Sequence, residues 1–257
     1  MLTQILHPAQ QARSAPTLLI AHGLFGSARN WNVIARNLAT TRDVVAVDMR
    51  NHGTSPRAQT QSYHDMAGDL AEVIAALPGP VDVLGHSMGG KAAMQLALSE
   101  GDLVRKLVVA DIAPVAYAHD QTPHITAMRG LDLAGLAGRS EADRRLAGSV
   151  TDPALRAFFL QSLDLRAEGG PEWRLNLDVL AAEMALIVGW PGTQGRFDSS
   201  ALFLTGSESS YVQPEHREVI RALFPAARFA KLTGAGHWLH ADKPREFERV
   251  VDGFLSA

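Results

Sequence analysis

The chain has 257 residues, of which 46% are hydrophobic, a formal net charge of −3 at pH 7 and no cysteine. This length and apolar content are enough for one sizeable hydrophobic core, in the range of a single α/β domain. The scattered basic residues and the slightly negative charge argue against a nucleic acid or an anionic membrane as a partner, and a chain without cysteine has no disulfide, no thiolate nucleophile and no cysteine-ligated zinc site.

The first residues, MLTQILHPAQQARSAP, contain neither a basic segment nor an apolar run of signal-peptide length. No window of the chain approaches the ~18 consecutive apolar residues of a membrane-spanning helix. We therefore expect a soluble, cytoplasmic protein without a membrane span.

Six short apolar runs, rich in Val, Ile and Leu and closed by Gly, Asp or Pro, are typical of buried parallel strands. The predicted strands are Thr17–Ala21, Val44–Val47, Val81–Leu84, Leu107–Ala110, Ala201–Thr205 and Ala227–Leu232. Apolar residues at three- and four-residue spacing predict helices between and after these strands. The predicted helices are Asn30–Ala39, Asp65–Leu77, Met88–Leu98, Arg217–Phe224 and Arg245–Leu255. The alternation predicts an α/β fold whose mostly parallel sheet is covered by helices on both faces, with one edge strand from the N-terminus.

The alternation of strands and helices is interrupted over residues 114–196. This region has helical patterns at Ala154–Leu163 and Leu177–Val188, is punctuated by Gly and Pro, and shows no strand pattern. We expect a mostly helical insertion in a core formed by residues 1–113 and 197–257. An insertion that leaves the C-terminal edge of a parallel sheet lies over the place where such folds bind ligands, so this one is a candidate cap.

A serine stands between two glycines in Gly85-His86-Ser87-Met88-Gly89, after a predicted strand and at the start of a predicted helix. The segment matches the G-x-S-x-G pattern of a nucleophile elbow. A turn this tight has no room for side chains two residues to either side of the serine, which explains both glycines. We interpret Ser87 as a nucleophile and the Met88 N–H, at the helix start, as an oxyanion-hole donor. The simpler alternative is an ordinary turn serine.

A second glycine-containing loop, His22-Gly-Leu-Phe-Gly-Ser27, follows the first predicted strand. Its glycines allow the loop to fold beneath the nucleophile, where a backbone N–H completes an oxyanion hole. Leu24 is the expected donor, with Phe25 as the alternative. A glycine-rich turn without a catalytic role is the competing interpretation.

The general base is expected late in the chain, after the last strand. His237 lies there in Gly234-Ala-Gly-His-Trp-Leu-His240, where the glycines give it freedom to point at the C-terminal edge of the sheet. His240 is the competitor, although its place close to a helix start favours a packing role. The other histidines have no metal-type spacing and there is no HExxH segment, so we expect neither a metal nor a cofactor.

The acid that orients the histidine is expected at a strand end between Ser87 and His237. Asp111 ends the strand after the nucleophile helix and is the preferred candidate. After the Ala201–Thr205 strand, where the acid most often stands, the sequence Gly206-Ser-Glu-Ser-Ser210 has a serine instead of an aspartate. Glu208, one residue early, and Asp178, inside the insertion, remain alternatives, and Asp111 as a simple turn cap is the competing interpretation.

Taken together, these segments resemble the α/β-hydrolase superfamily over nearly the whole chain. Further matching segments are DMRNHGTSP, in which Asn51 replaces the usual glycine of a D-x-R-G-H-G-x-S loop, DIAPV, WRLNL and GAGHWLHADKP. They resemble a branch of small serine esterases of bacteria and mitochondria that is associated with short-chain esters and acyl-CoA thioesters. In similar dehalogenase-like hydrolases the acid can follow the strand after the nucleophile helix, which is the place of Asp111 here.

The resemblance implies a serine hydrolase that cleaves small carboxylic esters, or acyl-CoA thioesters, through an acyl-enzyme. It implies Ser87 as nucleophile, His237 as base, the Met88 and Leu24 amides as oxyanion donors, and a helical cap that shapes the pocket. The acid stays open, with Asp111 preferred over Glu208 and Asp178. Phe25 and Trp238, which flank catalytic positions, are expected to form pocket walls. A cofactor-free haloperoxidase or perhydrolase and a C–C bond hydrolase use the same three residues and remain alternatives. A ligand-binding receptor that keeps the fold is the alternative outside enzymes.

Overall fold

The computed structural model describes residues 1–257, which form nine strands and eleven α-helices. The strands are β1 (Gln4–His7), β2 (Leu18–Ala21), β3 (Val44–Val47), β4 (Val81–His86), β5 (Val104–Ala110), β6 (Leu163–Asp164), β7 (Glu172–Trp173), β8 (Ala201–Gly206) and β9 (Ala227–Leu232). The helices are α1 (Asn32–Leu38), α2 (Tyr63–Ala75), α3 (Met88–Ser99), α4 (Thr122–Arg129), α5 (Arg139–Leu146), α6 (Pro153–Leu160), α7 (Leu177–Ala182), α8 (Met184–Val188), α9 (His216–Leu223), α10 (Leu239–Asp242) and α11 (Pro244–Ser256). None of the helices is both long enough and apolar enough to cross a bilayer.

Seven strands form the central sheet in the order β1–β3–β2–β4–β5–β8–β9. All neighbouring pairs are parallel except β1 with β3, which is antiparallel and leaves β1 at the edge. The predicted mostly parallel sheet with one N-terminal edge strand is therefore confirmed. Because the inner strands are parallel, the loops that follow β2, β4, β5, β8 and β9 all leave from the same edge of the sheet.

The alternation of side chains along each strand divides the apolar core between the two faces of the sheet. On β2, for example, Leu19 and Ala21 pack toward α2 and α3, whereas Leu18 and Ile20 pack toward α1 and α11. Every residue of β2, β3, β4 and β8 is buried. Their sequences are largely apolar, as expected for strands covered on both faces, and the buried Asp82 of β4 pairs with Arg42 and Arg105.

The segment between β5 and β8 contains α4 to α8 and a small two-stranded sheet in which β6 pairs with β7. The expectation of a segment without strands was wrong, because a ladder of two residue pairs is too short to produce an alternating pattern. The predicted helix Leu177–Val188 is also interrupted, at Glu183. Apolar residues of the segment, such as Phe159 and Leu180, join the same core cluster as one face of the central sheet.

Candidate active site

Ser87 lies at the junction of β4 and α3, with an unusual backbone conformation of φ 52° and ψ −118°. A positive φ is rare for a residue with a side chain, and here the surrounding turn imposes it. The Ser87 N–H donates to the Ala110 carbonyl of β5 at 3.1 Å, and the Ser87 carbonyl accepts the Lys91 N–H at 3.0 Å. The serine is thus fixed between the sheet and the first turn of the helix.

Steric contacts explain the glycines on both sides of the serine. A Cβ atom on Gly85 would lie 2.3 Å from the Gly89 carbonyl oxygen, and a Cβ atom on Gly89 would lie 2.4 Å from the Ala21 carbonyl oxygen. Both distances are far inside van der Waals contact, and the atoms met belong to the backbone. The turn can therefore close against β2 only when both positions lack side chains.

We expect Gly89→Ala to lower the free energy of unfolding by about 3 kcal/mol, because β2 or α3 must move to accept the methyl group. Urea denaturation measures this change. Gly253→Ala is the matched control, since Gly253 is exposed on α11 and its added Cβ would meet no atom within 4 Å. That variant should gain roughly 0.5–1 kcal/mol from helix propensity, and equal stabilities for the two variants would contradict the packing described.

The structure brings Ser87, His237 and Asp111 together at the C-terminal edge of the sheet. His237 Nδ1 lies 2.8 Å from Asp111 Oδ2, and His237 Nε2 lies 3.0 Å from Ser87 Oγ. Because a carboxylate only accepts hydrogen bonds, Nδ1 carries the proton, which leaves Nε2 to accept the serine hydroxyl. The three side chains thus form one hydrogen-bonded series with a fixed direction.

Asp111 is fully buried at the end of β5 and has a positive φ of 53°. Its Oδ1 accepts the Gly206 N–H at 3.1 Å, and its Oδ2 also accepts the hydroxyl of Ser209. Ser209, in the loop after the neighbouring strand β8, stands where the commonest pattern has an aspartate. Its hydroxyl donates to the Asp111 carboxylate. The sequence pointed to position 209 only because a serine there departs from that pattern.

The two alternative acids lie elsewhere on the surface. Glu208 is exposed on the loop after β8, and its backbone N–H is bonded to the Ala235 carbonyl. Asp178 is at the start of α7, where its exposed carboxylate pairs with Arg129 at 2.5 Å. Neither carboxylate makes a hydrogen bond to His237, whereas that of Asp111 does.

The loop after β2 reaches beneath Ser87 and is supported by two buried histidines. His52 Nε2 accepts the Phe25 N–H at 3.1 Å, and His22 Nε2 accepts the Met49 N–H at 2.9 Å. Burial lowers the pKa of both imidazoles, that of His52 to about 3, so near pH 7 each ring is neutral and can accept an N–H. The Phe25 N–H is therefore occupied, whereas the Leu24 N–H has no acceptor within the protein.

Two further histidines pack behind His237. The Nε2–H of His86 donates to the His237 carbonyl at 2.9 Å, and the ring of His240 stacks on Trp31 with 4.3 Å between centroids. Burial lowers the pKa of His86 well below its ordinary value and that of His240 to about 3. His240, the alternative base, makes no hydrogen bond to Ser87.

One face of the His237 imidazole is covered by Tyr211, whose ring stacks on it with 3.7 Å between centroids and an interplanar angle of 14°. The Tyr211 carbonyl in turn accepts the hydroxyl of Tyr117 at 2.8 Å. No sequence pattern singled out either tyrosine, because both contacts join residues far apart along the chain. No group of three or more histidine, aspartate or glutamate side chains is arranged to hold a metal ion.

A cavity of about 290 Å³ lies beside Ser87 and is lined mainly by apolar residues. Phe25 and Trp238 line it, as do Phe158 and Phe159 of α6. The rings form one aromatic wall, with 5.4 Å between the centroids of Phe25 and Phe159 and 5.7 Å between those of Phe158 and Trp238. The cavity is therefore lined both by loops at the edge of the central sheet and by the segment between β5 and β8.

Comparison with known proteins agrees with this architecture. The model of the alpha/beta hydrolase fold family matches residues 16–244. The chain is 40% identical over 254 residues to the sn-1-specific diacylglycerol lipase ABHD11 of Mus musculus, covering 94% of this chain and 81% of the relative. It is 37% identical over 252 residues to the esterase YbfF of Escherichia coli K12, covering 96% of each.

Among solved structures, a marine microorganism esterase superposes with a TM-score of 0.91 at 35% sequence identity, covering 99% of this chain and all of the other. The family match includes every strand from β2 to β9, and the relatives align over most of their own lengths. The chain is therefore a member of the α/β-hydrolase superfamily, among relatives that are named esterases and lipases.

Proposed function

We propose that this protein hydrolyses carboxylic esters through an acyl-enzyme intermediate, with Ser87 as nucleophile, His237 as general base and Asp111 as the acid. The observation that carries the proposal is the hydrogen-bonded series of these three side chains beside an apolar cavity. The names of relatives at 37% and 40% identity support an ester as the bond that is cleaved.

In the first step, Ser87 Oγ attacks the acyl carbon while His237 Nε2 takes its proton. The 3.0 Å separation of these two atoms allows the transfer without rearrangement. Asp111 holds the imidazole by its Nδ1–H and stabilises the imidazolium that forms. The stacked ring of Tyr211 limits tilting of the imidazole out of this plane.

Two backbone N–H groups stabilise the tetrahedral oxyanion. Met88 is the first residue of α3, so its N–H has no acceptor inside the helix and lies at the positive end of the helix dipole. Leu24 supplies the second donor, because the neighbouring Phe25 N–H is already bonded to His52. Donors fixed in this way need no reorganisation as the charge develops.

The intermediate collapses when the alcohol leaves with the proton held by His237, and the acyl group stays on Ser87. Water then attacks the acyl carbon while His237 Nε2 takes its proton, and the same two N–H groups hold the second oxyanion. Collapse of this intermediate returns the proton to Ser87 Oγ and releases the carboxylic acid. A thioester follows the same course, with the departing sulfur taking the proton held by His237 and leaving as a thiol.

We further propose residues 114–196 as a cap that encloses the acyl group over a core of residues 1–113 and 197–257. Support comes from the cavity, since α6 supplies Phe158 and Phe159 to its wall and α8 supplies Ile187. Such an enclosure removes apolar substrate surface from water. A largely apolar lining favours an uncharged acyl chain as the bound part of the substrate.

Two assays test the proposed function. A fluorophosphonate probe should label the wild type at Ser87, because only an activated serine reacts with it. A panel of p-nitrophenyl esters and acyl-CoA thioesters of graded chain length should then give turnover with at least one short or medium acyl group. Mass spectrometry of the labelled peptide and initial rates measure the two results.

The outcomes separate the alternatives. Labelling with ester turnover supports the esterase, and preferential turnover of acyl-CoA over the matching ester identifies a thioesterase. Labelling without turnover of either class points to perhydrolysis or C–C bond cleavage on the same three residues. An inert Ser87 overturns the proposal in favour of a binding protein.

A further inference from the structure

Lys91 is a charged residue of the cavity that the proposed mechanism does not use. It lies in the first turn of α3, four residues after Ser87, and both residues line the cavity. Its side chain lines the cavity, yet the residue is only 1% exposed to solvent. A lysine buried to this extent normally has a carboxylate partner, but no carboxylate lies within ion-pair distance of its ammonium.

The ammonium instead binds the C-terminal end of α8. Its Nζ donates to the Val188 carbonyl at 3.0 Å and to the Gly189 carbonyl at 2.5 Å. These carbonyls lie at the end of the helix, where no N–H of the helix is available to bond to them, and they form the negative end of its dipole. Burial lowers the pKa of the Lys91 ammonium to about 7, and the charge is partly balanced by these carbonyls.

Two tyrosines complete the attachment of α8. The hydroxyl of Tyr63 donates to the Ile187 carbonyl at 2.5 Å, and the Tyr117 N–H donates to the Val188 carbonyl at 3.0 Å. The Tyr117 and Tyr63 rings lie 4.7 and 5.6 Å from Lys91 Nζ, within the range of cation–π attraction. Three consecutive carbonyls are thus held by groups from three different parts of the chain.

The attached carbonyls belong to the wall of the cavity. Ile187 and Val188 line it beside Tyr63, Lys91 and Tyr117, and we call these five residues the Lys91 side. Their positions determine how far the cavity extends from Ser87 in this direction. Releasing the end of α8 would lengthen the cavity and expose the carbonyls to it.

We propose that Lys91 is a specificity-determining residue, which limits the length of the acyl group by fixing the end of α8 at the Lys91 side of the cavity. The proposal rests on the esterase function proposed above. It concerns the choice among acyl groups and not the chemical steps at Ser87.

The test compares wild type with Lys91→Met, which keeps a similar side-chain length but removes the donors. We expect the ratio of kcat/KM for p-nitrophenyl octanoate to that for p-nitrophenyl butyrate to rise by about tenfold. A change of this size corresponds to space for one or two more methylene groups in the cavity. Lys106→Met is the matched control. Lys106 Nζ also donates to the last carbonyls of a helix, those of Phe254 and Leu255, but lies outside the cavity, so its loss should leave the ratio unchanged.

Hydrogen exchange on the Ser87→Ala background reports the attachment of α8 independently of turnover. In the Lys91→Met form, peptides covering residues 184–190 should exchange about tenfold faster, as expected for the loss of charged hydrogen bonds. If Lys91→Met does not fold, Tyr63→Phe removes one of the three donors and should raise the octanoate-to-butyrate ratio in the same direction, by less.

An unchanged ratio in a folded variant overturns the proposal, whether or not α8 exchanges faster, because Lys91 would then be structural only. A ratio that rises equally in Lys106→Met also overturns it, since the effect would not come from the cavity. If wild type hydrolyses no ester at all, the proposed function fails and this proposal fails with it.

Discussion

We expect Ser87→Ala to fold normally and to lose ester hydrolysis by about 100,000-fold or more in kcat, the scale seen when a serine nucleophile is removed. The loss is large because the acyl-enzyme route disappears completely, while the oxyanion donors and the cavity remain. The hydroxyl makes no other hydrogen bond than that to His237, so its removal should leave the free energy of unfolding within about 1 kcal/mol of wild type. Initial rates and urea denaturation measure the two quantities.

Ser99→Ala is the matched control, because Ser99 ends the same helix and its hydroxyl bonds only to carbonyls of that helix. This variant should retain full activity and full fluorophosphonate labelling. Ester turnover by Ser87→Ala at a tenth of the wild-type rate or more would show that another group performs the attack. The proposed nucleophile would then be wrong even though the fold is unchanged.

The sequence was most informative about the central sheet. The predicted strands Val44–Val47 and Ala227–Leu232 have the observed bounds, and the other predicted strands differ by one to three residues at one end. For the inner strands this precision has a physical cause, since strands buried on both faces need largely apolar runs, and glycine, aspartate or proline marks where a run leaves the core. The edge strand β9 is only partly buried and mixes apolar with basic residues. The expected α/β-hydrolase fold is confirmed by the family match and the superposition.

The segment between β5 and β8 was predicted less well, because its structure depends on contacts with the core. The helices α4 and α5 are short and polar enough to give only weak periodicity, and the β6–β7 ladder has two pairs of residues. An isolated bridge between His52 and Leu175 then attaches this segment to the loop after β3. Such features are decided by tertiary packing and leave little local signal.

In the candidate site, the side chains at strand ends could be predicted from the sequence. The neighbouring groups that hold these side chains in place could not. Ser87 and Asp111 follow His86 and Ala110, which are paired in the register of β4 with β5, so the topology alone brings them to neighbouring positions. The acceptor role of His52 and the stacking of Tyr211 on His237 depend on loop conformations that no spacing encodes. Asn51 lies between these two cases. The sequence marks the position, because a glycine is usual there, and the φ of 63° in the structure gives the reason.

We expect Asp111→Asn to lower kcat by about 1,000- to 10,000-fold while KM changes little, as for triads that lose the charge of their acid. The asparagine amide fits the same space, but its Nδ2 would donate to His237 Nδ1 and hold the imidazole as the Nε2–H tautomer. That tautomer cannot accept the proton of Ser87. The buried negative charge that stabilises the imidazolium is lost at the same time, so the two effects act on the same step.

The alternative acids provide the controls for this prediction. Glu208→Gln and Asp178→Asn should each keep near-normal kcat, because neither carboxylate contacts His237. Ser209 already donates to the Asp111 carboxylate from the loop after β8, so the double variant Asp111→Asn, Ser209→Asp would place a carboxylate at the position where similar hydrolases most often have one. We expect it to recover part of the lost kcat. Full activity of Asp111→Asn, together with a large loss in Glu208→Gln, would instead assign the acid to the β8 loop and require that loop to move during the reaction.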